Sequence, residues 1–178
     1  MASALMDSVA DAHGGRIYTG FSDAGLLSFD PEATSNELAS FNPDTGTRKA
    51  PALATDRRQA PGHGIIDGKL YVAGGWAPDG TLGTRTEIQD IAADSWTTGA
   101  DLPAAYAGAG SAVLAGKLYL VGGCADACGT VDVSGYDPAA DIWSAAAPYP
   151  EPSSWTFCAG LDGRLYRAGC ATNAGGAF

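Results

Sequence analysis

The amino-acid sequence predicts an all-β protein that is built from about three and a half copies of one four-stranded antiparallel unit. Three observations support this prediction: a short strand phrase recurs, a tryptophan recurs with the same period, and the composition favours turns over helices. The chain has 25 glycines and 10 prolines, and only 17% of its 178 residues are charged. No window has apolar residues at sustained helical spacing, whereas short apolar runs bounded by glycine are typical of strands.

The recurring phrase is a glycine turn, an apolar strand that contains tyrosine, and a glycine pair. It reads GKLYVAGG at 68–75 and GKLYLVGG at 116–123, and shorter versions read GRIYTG at 15–20 and GRLYRAG at 163–169. Successive copies are 53, 48 and 47 residues apart. A module that recurs with a period of this size indicates a repeat architecture, in which each copy buries its apolar face against its neighbours.

A tryptophan follows the second and third copies of the phrase. Trp96 and Trp143 are 47 residues apart, and each follows a turn that contains aspartate, in QDIAADSW at 89–96 and GYDPAADIW at 135–143. The first unit has Arg48 at the position where a tryptophan would be expected. We assign the tryptophans, and the tyrosine of each phrase, to the core, because aromatic side chains supply large buried areas.

The strands are predicted in chain order from these phrases and turns. Those of the first unit are expected at 8–13, 16–20, 37–42 and 48–53, with a long connection at 21–36. Those of the second unit are expected at 62–66, 69–75, 85–90 and 95–98. Those of the third unit are expected at 110–114, 117–123, 131–137 and 142–145, and the last unit has two, at 156–161 and 164–169. Asp-Gly pairs between apolar runs, such as Asp67-Gly68, are strong signals for two-residue hairpins.

Turn, tyrosine, Gly-Gly, YDP and tryptophan follow one another in the order of the kelch repeat, and the sequence resembles kelch β-propellers over nearly its whole length. Each repeat of that family forms one four-stranded blade. The resemblance implies one partial propeller domain over 1–178, with blades near 8–53, 62–98, 110–145 and, incomplete, 156–170.

The third unit carries a more specific resemblance. Its phrase at 121–155, with the CADAC loop and the YDP turn, is similar to kelch segments of large secreted bacterial proteins, some of which are attached to subtilisin-like serine proteases. This similarity implies an extracellular accessory or recognition domain. It also implies a disulfide between Cys124 and Cys128.

The last unit lacks its third and fourth strands, whereas closed propellers have four to eight complete blades. Three explanations fit: a fragment of a longer propeller, a chain that closes by pairing with a second copy, and a short open array. We favour the first, so that the missing blades belong to a larger protein. An unpaired edge and an exposed blade face would in each case invite a partner.

Four cysteines in a loop-rich β chain favour disulfides, although they allow three connectivities. A metal site at Cys124 and Cys128 is disfavoured, because no histidine or further cysteine lies nearby and zinc usually takes four N or S ligands. A second candidate bridge joins Cys158 to Cys170. Cys158 is expected opposite Arg167, about 10 Å from the position opposite Cys170, so this bridge requires an irregular hairpin.

The formal net charge of −10 disfavours nucleic acids and anionic membranes as partners, because such a surface repels them. The first 13 residues lack the basic and apolar regions of a signal peptide, and no apolar run approaches the length of a membrane span. Because the four cysteines favour disulfides, we nevertheless expect an extracellular protein, which is secreted as part of a larger precursor.

The long connections all lie at one end of the predicted blades. The loops between second and third strands and the linkers between blades share this end, and long loops on a rigid scaffold often carry function. We expect a protein or carbohydrate ligand there, because aromatic and arginine side chains dominate interface energy. The candidate binding residues are Trp76, Arg85, Arg57, Arg58, Tyr106, Tyr149 and Trp155.

No catalytic residue, metal ligand or cofactor is predicted. The two histidines, His13 and His63, are assigned to the core edge, and the chain has no GxSxG, HExxH or phosphate-loop motif. The alternative is a propeller enzyme that acts on sugars, either mutarotase-like or copper-oxidase-like. Such an enzyme should show convergent polar residues near the channel mouth and a cluster of His, Glu or Arg on the first strands.

Overall fold

The structure, a computed structural model, describes residues 9–21 and 34–169. Within these ranges it contains fourteen strands and no helix. The strands are β1 (Val9–His13), β2 (Arg16–Gly20), β3 (Leu38–Phe41), β4 (Arg48–Lys49), β5 (Gly62–Ile66), β6 (Lys69–Ala73), β7 (Thr86–Asp90), β8 (Ser95–Gly99), β9 (Gly110–Leu114), β10 (Lys117–Val121), β11 (Val133–Asp137), β12 (Ile142–Ala145), β13 (Phe157–Leu161) and β14 (Arg164–Ala168).

The strands form three four-stranded antiparallel sheets and one two-stranded sheet, each a meander in chain order. Strands β1–β4 form blade 1, β5–β8 form blade 2, β9–β12 form blade 3, and β13–β14 form the half-blade. The first strands of successive blades pack against one another in order, β1 against β5, β5 against β9 and β9 against β13. The protein is therefore an incomplete β-propeller, which confirms the predicted fold class.

The hairpin at the start of each blade sets its register. Asp67 and Gly68 both have positive φ, 49° and 75°, and such a turn matches the twist of the flanking strands. The third blade and the half-blade repeat this pair of positive φ values at their own first turns. As predicted, the half-blade hairpin places Cys158 opposite Arg167.

The glycine pairs allow neighbouring blades to approach closely. A Cβ on Gly74 would meet the carbonyl oxygen of Tyr106, and a Cβ on Gly122 would meet that of Ser153. The next glycine of each pair donates its N–H to the same carbonyl, at 2.7 and 2.6 Å. The Gly-Gly phrase is thus required by contact between a blade and the linker that follows it.

A two-residue side-chain clamp joins blade 3 to blade 2, and we call it the Asp-x-Trp clamp. Asp141 Oδ1 accepts a hydrogen bond from the Ala100 N–H at 2.6 Å, and Trp143 Nε1 donates to the Ala100 carbonyl at 3.1 Å. Tyr136, buried beside Trp143, also donates its hydroxyl proton to Asp141 at 2.5 Å. The Asp141 carboxylate and the Trp143 indole therefore bind both the backbone N–H and the backbone C=O of Ala100, which follows the last strand of blade 2.

The same clamp joins blade 2 to blade 1. Asp94 Oδ1 accepts from the Ala52 N–H at 2.9 Å, and Trp96 Nε1 donates to the Ala52 carbonyl at 2.7 Å. The clamp also corrects the prediction of a strand at 48–53, since β4 ends at Lys49. The backbone of Ala52 bonds to these side chains of blade 2 instead of continuing the ladder with β3.

Candidate functional site

Two of the predicted binding residues form an aromatic pair on the loop face. Trp76 follows β6, and Trp155 lies in the linker between blade 3 and the half-blade. Their rings stack with centroids 5.2 Å apart and planes 12° from parallel. Trp155 is 37% exposed and Trp76 is half-buried, so the pair is a flat, partly exposed aromatic surface.

Backbone contacts hold this aromatic pair in place. Trp76 and Gln59 exchange two backbone hydrogen bonds of 2.9 Å, and the Trp155 N–H donates to the Gly108 carbonyl at 2.8 Å. Gly108 lies beneath both rings, where an added Cβ would be 3.5 Å from Trp76 and 3.6 Å from Trp155. The Gly108 N–H in turn bonds to the carbonyl of Ala60, at 2.9 Å. The linkers before the first strands are therefore tied to one another beside the pair.

Trp155 of the aromatic pair is part of the wall of a groove of about 590 Å³, and Trp76 stacks on Trp155 beside it. The first strands of all three blades and of the half-blade line it, and nearly half of their lining residues are glycine or alanine. Two of its polar side chains bond to each other: His63 Nδ1 and Asp11 Oδ2 are 2.7 Å apart. Each of these side chains is about one quarter exposed, at 23% and 25%. Ser111 Oγ accepts the His63 backbone N–H at 3.0 Å, which ties β5 to β9.

The sequence analysis assigned His63 to the core edge and did not single out Asp11. In the structure both residues line the groove and form a pair between the first strands of blades 1 and 2. The signal was weak in the sequence, because the two residues are 52 positions apart. The first strands of consecutive blades face one axis in a propeller. The position of both residues on such strands could therefore have indicated that they lie close together.

Arg58 is a structural residue more than a ligand contact. Its side chain is 4% exposed and forms an ion pair with buried Glu87, whose carboxylate also accepts the backbone N–H of Thr55 at 2.7 Å. Its guanidinium donates as well to the carbonyls of Gly74 and Arg85, both at 3.0 Å. Burial lowers the pKa of Arg58, and the charge of Glu87 opposes that shift. Arg58 therefore joins the linker before blade 2 to the loop after β6.

The other two predicted arginines are exposed beside this buried pair. Arg85 Nε is 3.3 Å from Asp56 Oδ2, and Arg57 Nε donates to the carbonyl of Thr34 at 2.6 Å. Both arginines line a second, shallow groove of about 630 Å³. Because Asp101 and Asp56 line the same groove, the positive charge there is largely compensated.

The two predicted tyrosines make contacts apart from the tryptophan pair. Tyr106 is 9% exposed and its hydroxyl lies 3.3 Å from Thr130 Oγ1; burial raises the pKa of this tyrosine. Tyr149 is half-buried, and the guanidinium carbon of Arg167 lies 4.6 Å from its ring centroid. The structure therefore brings together two of the seven predicted residues as an aromatic surface and three as an arginine cluster.

Cys124 and Cys128 form a disulfide in the loop after β10, the pairing that the kelch resemblance implies. Cys124 also exchanges backbone hydrogen bonds with Ala107 in the preceding linker, at 3.1 and 2.7 Å. Among the described residues Cys158 has no disulfide partner, and burial raises the pKa of its thiol. Cys170 lies outside the described residues, so the Cys158–Cys170 bridge stays a prediction. Among the described residues no group of three or more His, Cys, Asp or Glu side chains could hold a metal ion.

The strand order and the packing of the first strands define the chain as an incomplete β-propeller. A family model described as the Kelch motif matches residues 105–148, which comprise blade 3 and part of the linker on either side of it. The solved structure of YjhT has a TM-score of 0.75 and 18% sequence identity over 92% of this chain. At this identity the likeness concerns the fold alone, and the chain spans 58% of the YjhT chain. The comparison with curated proteins gave no match.

Proposed function

We propose that this chain is a non-catalytic recognition module that binds a carbohydrate at the mouth of its central groove. The observation that carries the proposal is the stacked pair of Trp76 and Trp155, with Trp155 37% exposed beside a groove of about 590 Å³. A sugar ring presents a flat apolar face that packs well on an exposed indole, while its hydroxyls need hydrogen-bond partners. Asp11 and His63 supply such partners inside the groove.

The rigidity of the pair favours binding. Both tryptophans are held through their own backbone groups, and Trp155 adopts a left-handed φ of 56° that fixes its direction. Preorganised aromatic side chains lose little conformational freedom when a ligand binds, so more of the contact energy contributes to affinity. A kelch-type propeller provides such a rigid support for loops that carry recognition.

The setting that we propose is extracellular, within a larger secreted bacterial protein. The Cys124–Cys128 disulfide supports this setting, because disulfides persist mainly in oxidising compartments. Within the described ranges, no helix has the length and apolar character needed to cross a bilayer. Mass spectrometry of the unreduced native protein tests the setting: four free thiols would contradict it.

A glycan array followed by calorimetric titration of the strongest hit tests the binding proposal. We expect Trp155→Ala to weaken binding about five- to thirtyfold, since one stacked aromatic contact contributes on the order of 1–2 kcal/mol. Ile142→Ala is the matched control, because Ile142 is 56% exposed on the outer strand of blade 3. Absence of any glycan ligand would reject the carbohydrate, and unchanged binding by Trp155→Ala would reject this site.

A second candidate function, a propeller enzyme acting on a sugar, is favoured by the Asp11–His63 pair. A histidine whose Nδ1 is oriented by a carboxylate is suited to move protons through Nε2. Turnover of the bound sugar, followed by NMR of its anomeric protons, distinguishes the two functions. His63→Gln should abolish turnover if the enzyme assignment is correct, and a bound but unaltered sugar supports the non-catalytic module.

A further inference from the structure

Charged side chains are unevenly distributed around the groove of about 590 Å³ that the first strands line. All ten lysines and arginines of the chain lie in the described ranges, and none of them lines this groove. Its ionisable lining side chains, among the described residues, are Asp11, His63 and Cys158, and burial raises the pKa of the Cys158 thiol, which keeps it neutral. The groove therefore carries one negative charge while His63 is neutral and balanced charges when His63 is protonated, and it is positive in neither state.

The Asp11 carboxylate can accept hydrogen bonds from a ligand. Its side chain is 25% exposed, and its Oδ2 atom lies 2.7 Å from His63 Nδ1. Within the described part of the chain, His63 supplies the one hydrogen bond to this carboxylate. A carboxylate has about four acceptor positions on its two oxygens. Asp11 is therefore held in place by His63 and still has acceptor positions that face the groove.

Trp155 and the Asp11–His63 pair lie at different depths of the groove. Ala60, Gly108 and Trp155 occupy equivalent positions in consecutive linkers, since all three have left-handed φ, at 49°, 62° and 56°. The N–H of each later residue donates to the carbonyl of the earlier one, at 2.9 and 2.8 Å. His63 follows Ala60 by three residues, which span about 10 Å in an extended chain. An oligosaccharide fits this separation better than a single sugar ring.

We propose that the ligand of this groove is an oligosaccharide with free amino groups, such as a chain of glucosamine units, and that Asp11 binds one of its ammonium groups. This inference rests on the proposed carbohydrate site and adds the charge class of the sugar. An ammonium group has three N–H donors, and its hydrogen bond to a carboxylate is stronger than one between neutral groups. The exposed indole of Trp155 favours the same ligand, because a cation is attracted to the face of an indole ring.

Acidic sugars are poor ligands for the same groove. A uronate carboxylate would meet the negative charge of Asp11, and no lysine or arginine of the groove lining would compensate it. The formal net charge of −10 also slows the approach of anions. Neutral sugars keep the stacking on Trp155 but form no ion pair with Asp11. The expected order of affinity is therefore amino, then neutral, then acidic.

Three β-1,4-linked tetrasaccharides test this order. Glucosamine, glucose and glucuronate tetramers share one backbone and differ in charge. Each is titrated calorimetrically into the full chain at about pH 6, where the sugar amines are mostly protonated. We expect the glucosamine tetramer to bind about tenfold more tightly than the glucose tetramer, because a hydrogen bond to a charged group is gained. The glucuronate tetramer should bind more weakly than both. If another backbone binds on the glycan array, its amino, hydroxyl and carboxylate forms replace this series.

Asp11→Asn tests the residue that we assign to the ammonium. The substitution removes the charge and keeps the size of the side chain and an acceptor for His63. The glucosamine tetramer should bind about tenfold more weakly to this variant, and the affinity for the glucose tetramer should change less than about twofold.

Asp44→Asn is the matched control. It removes the same charge from an exposed residue between β3 and β4 that does not line the groove, so neither affinity should change. Equal losses in the Asp11 and Asp44 variants would indicate a general attraction of amino sugars to an acidic surface and would overturn the inference. Retention of the tenfold preference by Asp11→Asn would overturn it as well.

The comparison of ligands needs no variant, so it decides the inference even if Asp11→Asn does not fold. Equal or tighter binding of the glucose or glucuronate tetramer would overturn the inference. The carbohydrate site itself would still stand in that case, provided that Trp155→Ala weakens the binding. If no tetramer binds and the glycan array gives no ligand, both the carbohydrate site and this inference are rejected.

Discussion

The interface between blades 2 and 3 and the outer face of the half-blade carry the same repeat phrase in different surroundings. At the interface, Tyr71 is 5% exposed and its ring centroid lies 5.6 Å from that of Tyr136 in the next blade. On the half-blade, Phe157, Leu161 and Tyr166 share one face and are 81%, 59% and 49% exposed. A blade therefore buries its apolar face only by packing against the neighbouring blade.

This difference in burial indicates which contacts contribute most to the free energy of unfolding. In repeat proteins stability is approximately a sum of unit terms and nearest-neighbour terms. Blade 3 has both a tight glycine contact and the clamp on Ala100, whereas the half-blade contributes a single hairpin that packs against β9. We therefore expect substitutions at the blade 2–blade 3 interface to cost far more free energy of unfolding than equivalent changes on the half-blade.

The largest expected effect is that of Trp143→Ala. The substitution removes a buried indole and its hydrogen bonds to Ala100 and Thr86, so the free energy of unfolding should fall by about 3–5 kcal/mol. Urea denaturation followed by circular dichroism measures the loss. Stability close to that of the unsubstituted chain would show that the clamp does not join the blades.

A matched pair of glycine substitutions sharpens the comparison. Gly122 and Gly169 occupy the same position of the phrase and have φ of 66° and 69°, so alanine at either costs about 1–2 kcal/mol of backbone strain. At Gly122 the new methyl group would also overlap Ser153, which adds about 1–3 kcal/mol; at Gly169 its closest neighbour is Phe157, at 3.8 Å. Gly122→Ala should thus destabilise the chain more in thermal unfolding. Equal Tm losses for the two variants would contradict the close contact between blade 3 and the linker that follows it.

Acid should weaken the clamp selectively. Hydrogen bonds from the Tyr136 hydroxyl and the Ala100 N–H hold the pKa of Asp141 below its ordinary value of 3.8. A carboxyl with a lowered folded-state pKa contributes stability that is present above the ordinary value and is lost as pH falls through the lowered one. Urea midpoints should therefore fall more steeply below about pH 4 in the unsubstituted chain than in Asp141→Asn. Parallel pH profiles would contradict this role.

The smallest expected effect comes from the half-blade. Phe157→Ser changes a side chain that is 81% exposed, so the free energy of unfolding should stay within about 0.5 kcal/mol. Light scattering should show less self-association, because an exposed apolar patch is reduced. If the free energy of unfolding fell by more than about 2 kcal/mol, Phe157 would be packed in solution. The half-blade would then resemble the interface between blades 2 and 3 more closely than the structure indicates.

Much of the fold could be predicted from local signals. The first strands of blades 2 and 3, at 62–66 and 110–114, were predicted with the observed bounds, because two-residue turns and alternating burial set the register locally. Other predicted strands differ from the observed ones by one or two residues at an end, and the largest difference is at β4, which ends at Lys49 because a side-chain clamp from another blade competes for the backbone.

The candidate site was predictable only in part. Strand topology predicted which end of the blades carries the long loops and the two tryptophans. Trp76 and Trp155 are 79 residues apart, however, so only the tertiary structure could show that they stack. Arg58 was predicted as a candidate binding residue on the loop face, and its side chain is buried against Glu87. No local pattern distinguishes a buried arginine from an exposed one when its partner lies in another strand.

The sequence by itself determined the repeat period, the antiparallel blades and the residues that face the neighbouring blades. These features depend on turn chemistry and alternation within about 50 residues, which the chain encodes locally. Only the tertiary structure decided the Asp11–His63 pair and the stacked tryptophans. The physical reason is that each of them depends on how whole blades are rotated about a common axis, and that rotation is set by packing between blades.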